Sequence, residues 1–507
     1  MNHGDELFIS FPSAVQYKTK GAATDKKGTT AINQLLWGDW VRVDKIEGNW
    51  INIRSRGRNG WVRKENLQTD RLLEVNFVDI GQGDGCHIQT PEDKSIIIDA
   101  GEEDNMYRFL RWRFGKFSKK YTFESFIISH PDADHYDGFT HLFEEKNVFV
   151  KNVYHNTLVE QKIGDKKSLG AEKKINGKKF VAGLVLDKND LKKITNSKVK
   201  RARYHYPNML KDAMDSGRVN DFVGLLANND WNNPAYLPGY SPQDNNGFTF
   251  KLLGPIPQLL NSNKPALPKF GSNGTTKNGH SVVLLLEMGN VKMLLGGDLN
   301  EPSQEYLLEH YTGLSAHPKT PGDVEALTKE GRKHFEVDIA KACHHGSAHV
   351  SPYFLQATNP IVTVISSGDN EPHSHPRPDT LGIIGKYSRT ERPMIFSTEL
   401  ARSGNESIKH PNKVRRELRK KIDEETTILH DQNATTAEKK KAGERLDEHL
   451  KVIERSVANY GMINVRTDGD KVIIAQRLER DRSKSKRWDI YMFESDDRGR
   501  LHYKPNH

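Results

Sequence analysis

The chain has 507 residues, 35% hydrophobic and 28% charged. It is too long for one ordinary core, so about two to four structural units are expected. No run approaches the roughly 20 apolar residues of a membrane span, and Met1 to Val15 lacks the basic start and apolar stretch of a secretory signal. The two cysteines, Cys86 and Cys343, lie outside any CxxC spacing. That excludes a disulfide framework and a zinc ribbon, and a soluble, cytoplasmic chain with no membrane contact is expected.

The formal charge of +9 is not spread evenly. Between Gln161 and Arg203, 12 Lys and 2 Arg stand against 3 Asp and 1 Glu. Such a stretch is either the footprint of a polyanion, whose counterions are released on binding, or a solvated lysine-rich insertion.

From Phe8 to Leu67, short β-prone runs alternate with glycine, as in Trp40-Val41-Arg42-Val43, Trp50-Ile51-Asn52-Ile53 and Gly60-Trp61-Val62. Short strands and tight turns predict a small β-barrel over residues 1–70. Gly38, Trp50, Gly60-Trp61-Val62 and Leu67 resemble the pattern of bacterial SH3-like domains. That resemblance implies a protein-contact role, although the tryptophans fit a purely structural core equally well.

A second unit, 71–410, opens with the strand Leu73 to Asp79 and the glycine-rich Gly81-Gln82-Gly83-Asp84-Gly85. A dinucleotide fingerprint must open a helix. Here Cys86-His87-Ile88-Gln89 and Ser95 to Gly101 follow instead, so the glycines predict a tight hairpin bend. Asp79 and Asp99 end buried strands, and Asp99 is placed to orient a ligand histidine.

After a helix over Met106 to Phe114, the apolar Phe126-Ile127-Ile128 leads into Ser129-His130-Pro131-Asp132-Ala133-Asp134-His135. Alternate residues of an extended segment point the same way. His130 and Asp132 are therefore expected to reach one metal ion, and Asp134 and His135 a second. Residues 151–247 are polar and poor in apolar periodicity, and they read as a basic insertion. Residues 271–279 read as a Gly/Asn-rich loop. Hairpin strands then flank Met288-Gly289-Asn290, and the second of them ends at Asp298. A strand through Ile339 ends in Lys341-Ala342-Cys343-His344-His345-Gly346-Ser347, and another precedes His375. Residues 411–457 predict a charged helical hairpin, either solvated or partner-binding. The strands of 458–507 are expected to complete the sheet of the second unit.

Metal-binding side chains at several strand ends are how an α/β scaffold assembles a site. The order of motifs resembles the metallo-β-lactamase fold, and more closely the hydrolase domain of ComEC-type DNA-uptake competence proteins. The residues that carry the resemblance are Val78 to Asp84, Ile98 to Gly101, Ser129 to His135, Leu294 to Asp298, Lys341 to Ser347 and His375 to Pro378. It implies an αββα sandwich with two divalent ions. His130 and Asp132 would hold the first, Asp134, His135 and His344 the second, and Asp298 would bridge. His280 is equally a ligand or a loop histidine. In such a site Asp134 is placed to take a proton, Lys341 and His345 are candidates for stabilising transition-state charge, and His375, Ser347 and Lys341 are expected to contact substrate. With aspartate at 132, where the broader superfamily has histidine, manganese is favoured over zinc or magnesium. The reading is a metal-dependent phosphodiesterase, a nuclease on DNA before RNA, with a protein partner at the SH3-like domain or helical hairpin. A hydrolase of small phosphodiesters and a catalytically silent scaffold are the alternatives.

Overall fold

In a computed structural model, which describes residues 1–20, 30–81, 83–201, 204–260, 264–367, 375–398, 411–431, 433–457, 462–477 and 483–505, Ser95–Ala100 is a strand buried on both faces. Ile96 and Ile98 join one hydrophobic cluster and Ile97 another, as the two-residue period of a strand dictates. Gln82, Arg203 and 371–374 lie outside the described residues.

This strand belongs to a ten-stranded mixed sheet. It runs antiparallel to Gly85–Gln89 and parallel to Tyr121–Ile128, which in turn lies parallel to Val148–His155. Leu73–Phe77 pairs antiparallel with Gly85–Gln89, so the glycine-rich segment is a bend between paired strands. The late strands Ile463–Thr467, Lys471–Arg477, Trp488–Ser495 and Leu501–Lys504 extend the sheet beyond Leu73–Phe77. A second, seven-stranded sheet contains Thr249–Gly254, Val283–Met288, Val291–Leu295, Ile339–Lys341 and Val362–Ile365. One apolar cluster joins the two, with Val75, Phe77 and Ile98 from the first and Phe250, Leu284 and Met293 from the second.

Helices close both outer faces. Asn105–Arg113, Phe139–Glu144 and His205–Asp215 bury Phe109, Phe139 and Leu210 against the first sheet. Glu301–Thr312, Pro321–Phe335 and Pro352–Thr358 contribute Leu308, Phe335 and Phe354 to the cluster that includes the second. The result is a layered α/β architecture in which each element buries one apolar face.

Residues 151–247 are not one insertion. Val148–His155 and Val219–Gly224 are parallel neighbours in the ten-stranded sheet, and His205–Asp215 packs beneath them. The extra structure is smaller, the hairpin Gln161–Ile163/Lys166–Ser168 and the four-stranded sheet built around Ala171–Ile175 and Lys178–Ala182, whereas the helix Lys188–Thr195 packs Leu191 and Ile194 into the cluster on the first sheet. At the N-terminus, seven short antiparallel strands enclose Leu7, Ile9, Val41, Ile51, Ile53 and Val62. Trp50 and Trp61 lie outside that cluster. Trp37 is fully buried with Leu36 and Leu72 against the ten-stranded sheet. Helices Pro411–His430 and Thr436–Val457 pair, with Arg445 Nε and Nη2 donating to Glu425 at 2.6 and 2.8 Å. No helix among the described residues is long and apolar enough to cross a membrane.

Candidate metal centre

The strand Tyr121–Ile128 ends in an extended segment, but only as far as Asp132; Ala133–Tyr136 is already a helical turn. Asp134 and His135 therefore point inward from a helix rather than from an extended strand. Their placement is tight: a Cβ on Gly83 would sit 1.7 Å from the Asp134 carbonyl oxygen, and Gly83 has φ +98, so only glycine fits there.

Four donors converge from three separate strand ends. His345 Nε2 lies 3.3 Å from both His135 Nε2 and Asp298 Oδ2, and 3.5 Å from Asp134 Oδ2. His135 Nε2 lies 3.3 Å from Asp298 Oδ2. The groups His130–His135–Asp298, Asp134–His135–His345 and Asp84–Asp298–His345 each bring their donor atoms within 4.8 Å of one another. His130 Nε2 and Asp298 Oδ1 are buried with no hydrogen-bond partner among the described residues, a costly arrangement unless a cation is their partner. These residues fit a divalent ion.

The electrostatics point the same way. Burial acts to lower the pKa of His135, but Asp298, Asp99 and Asp134 override it and push it well above the ordinary value. His345 follows the same course through Asp298 and Asp84. Burial acts to raise the Asp134 carboxyl, yet His135 and His345 hold it down at about 2. The pocket favours positive charge, whether a proton or a metal.

Supporting residues fix the donors. Asp99 Oδ2 lies 2.8 Å from His135 Nδ1, and its Oδ1 accepts from Ser129 N at 2.7 Å. A carboxylate in that position would hold the His135 ring in one orientation. Asp99, His344 and His345 are non-glycine residues in the left-handed region, with φ of 55°, 50° and 54°. Each costs of order 1–3 kcal/mol, a strain that gathers at functional sites.

Several expected roles change. The left-handed turn sends His345, not His344, into the centre; His344 Nε2 stays at the rim, 3.9 Å from Asp298 Oδ2. His375 stacks over His345 with ring centroids 6.3 Å apart, near enough to the rim for a substrate contact. Lys341 is buried behind Asp298, ion-paired with Asp84 and donating to the Gly297 carbonyl at 3.0 Å. Its ammonium thus lies against the Asp84 and Asp298 carboxylates on the buried side of the cluster. Ser347 is also buried, its Oγ accepting from His349 N at 3.3 Å. His280 is buried outside the cluster, with Nε2 on the Pro268 carbonyl at 2.7 Å and burial lowering its pKa to about 4. It belongs to none of the donor groups. Asp79 accepts from Gly81 N at 3.4 Å and belongs to none of the donor groups; Asp84 does.

Asp132 is held from outside the motif. Its Oδ2 is 3.5 Å from His130 Nε2, while its Oδ1 is ion-paired with Lys277, which also donates to Glu160 at 2.7 Å. Lys277 lies on a helix, Asn273–Gly279, where a loop was expected. Ser272 caps that helix through its side chain on Thr275 N.

No family model matches the chain. ComE operon protein 3 of Bacillus subtilis (strain 168) is 25% identical over 114 residues, covering 22% of this chain and 12% of that protein. The match thus spans about an eighth of that relative's length. Among solved structures, Tm1679, a metal-dependent hydrolase of the beta-lactamase superfamily, is similar over 64% of this chain and 95% of its own, with TM-score 0.31 and 8% identity. Igni18, a metallo hydrolase from the archaeon Ignicoccus hospitalis, covers the same shares with TM-score 0.29 and 10% identity.

Proposed function

We propose that this chain is a metal-dependent hydrolase of the metallo-β-lactamase type that cleaves phosphodiester bonds in nucleic acid, DNA before RNA. The observation that carries the reading is the convergence of Asp134, His135, Asp298 and His345 from separate strand ends, with His130 and Asp132 beside them. Asp134, His135, Asp298 and His345 would hold one divalent ion; His130, Asp132 and the shared Asp298 would hold another. Two such ions lower the pKa of water and stabilise the attacking and leaving oxygens of an in-line displacement.

The chain's own residues supply the rest. Asp99 keeps His135 in one tautomer. Lys341 and Asp84 brace Asp298 and His345 from the buried side. Asp134 and His344 are partly exposed at the rim, and Asp132 beside them is ion-paired with Lys277. The lysine-bearing hairpin reaches that rim, because Lys167 pairs with Glu160 at 2.9 Å and Glu160 with Lys277. This placement supports a polyanionic substrate over an uncharged one.

The test is turnover of labelled single- and double-stranded DNA and RNA by metal-stripped protein, supplied in turn with manganese, magnesium and zinc. Metal-dependent cleavage of at least one is expected. Binding of metal without cleavage of any phosphodiester would overturn the reading.

A further inference from the structure

A second feature lies at the other end of the same strands. Gln89 and Ser95 are paired at the end of their strands remote from Gly85 and Asp99, about 13 Å along the strands from those two residues at 3.3 Å per residue. There, between the N-terminal β unit and the ten-stranded sheet, a cavity of about 620 Å³ opens. That is a volume suited to a small ligand.

Its lining holds six arginines and three carboxylates. The carboxylates are already committed. Asp39 accepts from Arg56 and pairs with Arg466 at 2.9 Å, Glu74 takes both Nη atoms of Arg113 at 3.0 and 2.9 Å, and Asp93 is paired with Arg71. Arg42 and Arg54 have no ion pair among the described residues. They are directly opposite each other on the antiparallel strands Trp40–Glu47 and Trp50–Ser55. Like charges facing across a ladder are destabilising. Glu6 faces Arg42 from the other neighbouring strand, yet it makes no ion pair with it. Two residues from Arg42, and so on the same face, Trp40 is 40% exposed; across the cavity Trp112 is 37% exposed. Indoles left in water beside unpaired guanidinium groups make a surface for a ligand that is both anionic and aromatic.

We propose that this cavity binds an unpaired nucleotide, with its phosphate between Arg42 and Arg54 and its base on the indole faces. The shared chemistry is that of a free nucleotide or of one unit in a single strand. An acidic peptide supplies the charge but leaves the indoles unused. The cavity lining shares no residue with the metal-donor groups, so binding there is read without divalent ion.

The test uses the full chain stripped of divalent ions, with a fluorescein-labelled oligothymidylate followed by anisotropy over a range of salt. The wild type is expected to bind. In the double variant Arg42→Gln/Arg54→Gln, affinity should fall and the slope of log affinity against log salt should shrink by about 0.7, because one phosphate of the single strand is no longer neutralised. Trp112→Ala should weaken binding about tenfold. Without ligand, Arg54→Gln should melt no lower than the wild type, since it relieves a like-charge pair. Competition by thymidine monophosphate identifies a free nucleotide as the occupant; competition only by unlabelled strand identifies nucleic acid. The proposal is overturned by absence of wild-type binding, by an unchanged salt slope in the double variant, or by polyglutamate displacing the strand while Trp112→Ala has no effect. Intact metal-dependent cleavage in the arginine variant would leave the hydrolase reading standing on its own.

Discussion

Lys277 is ion-paired with Asp132 across 145 residues of chain, and Asp132 Oδ2 in turn lies 3.5 Å from His130 Nε2. Burial acts to lower the pKa of Lys277, but Asp132 and Glu160 raise it above the ordinary value. The ammonium is therefore a fixed positive charge beside the position that His130 and Asp132 would share.

Metal titration should show that charge. At an effective dielectric of about 20, an ammonium some 4 Å from a divalent ion opposes it by several kcal/mol before screening, so the outer ion should bind more weakly than the inner. In Lys277→Met, the second of two binding steps should tighten at least tenfold, as read by calorimetry on metal-stripped protein. An unchanged second step would mean that Asp132 takes no part in metal binding.

His344 and His345 make a matched pair of tests. His345 Nε2 lies among Asp134, His135 and Asp298, whereas His344 reaches only Asp298, at 3.9 Å. His345→Ala should remove the inner ion and abolish turnover. His344→Ala should retain the inner ion while lowering turnover at the rim. Elemental analysis after gel filtration, with the oligonucleotide assay beside it, checks both; the reverse pattern would restore His344 as the ligand.

Asp99→Asn isolates orientation from ligation. Asparagine tolerates the left-handed backbone at φ 55, so the fold should survive. The amide cannot stabilise the His135 Nδ1–H as a carboxylate does, and loss of such a contact costs about 10–100-fold in metal affinity or activity. Wild-type metal affinity in this variant would show that the 2.8 Å contact is packing alone.

Stability should respond to acid through Glu74. Burial acts to raise its carboxyl pKa, but Arg113 and Arg466 hold it well below the ordinary 4.5. Folding therefore favours the ionised form. Its contribution is full above pH 4.5 and is lost as the pH falls through the folded value. Glu74→Gln leaves the half-buried Arg113 guanidinium without its charge partner, while Arg466 keeps Asp39 at 2.9 Å, a loss of about 1–3 kcal/mol. The variant should melt lower at pH 7 and show a flatter decline as the pH falls below 4.5. Parallel pH curves would mean that Glu74 is protonated in the fold.

The centre is legible in the sequence where its determinants are local. His130 to His135, Asp99 and Asp298 each end a short apolar run, and strand periodicity alone brings such residues to a sheet edge. The rest depends on distant chain. Val219–Gly224 is a core strand because it pairs with Val148–His155, a partner that six mixed residues do not announce. Asn273–Gly279 is made of weak helix formers and is helical because Ser272 caps it and Thr276 Oγ1 accepts from Phe270 N at 3.1 Å. Lys277 is hidden with it. The choice between His344 and His345 rests on two left-handed residues in succession, which no spacing encodes.

Metal preference offers the last test, and Lys277 alters how it must be made. The outer position has one imidazole, His130, against the carboxylates Asp132 and Asp298, an oxygen-rich set that suits manganese or magnesium better than zinc. Asp132→His would add a nitrogen donor, but it would also strand the Lys277 ammonium beside an imidazole and leave Glu160 as its sole described partner. The single variant should therefore bind the outer ion poorly whatever its identity. The double variant Asp132→His/Lys277→Met removes the stranded charge and should move the activity maximum from manganese toward zinc. Turnover of a labelled oligonucleotide by the metal-stripped wild type and both variants, titrated with each ion, decides it. A wild type fully active with zinc and inert with manganese would sink the oxygen-rich assignment. A double variant still preferring manganese would show that residue 132 does not set the preference.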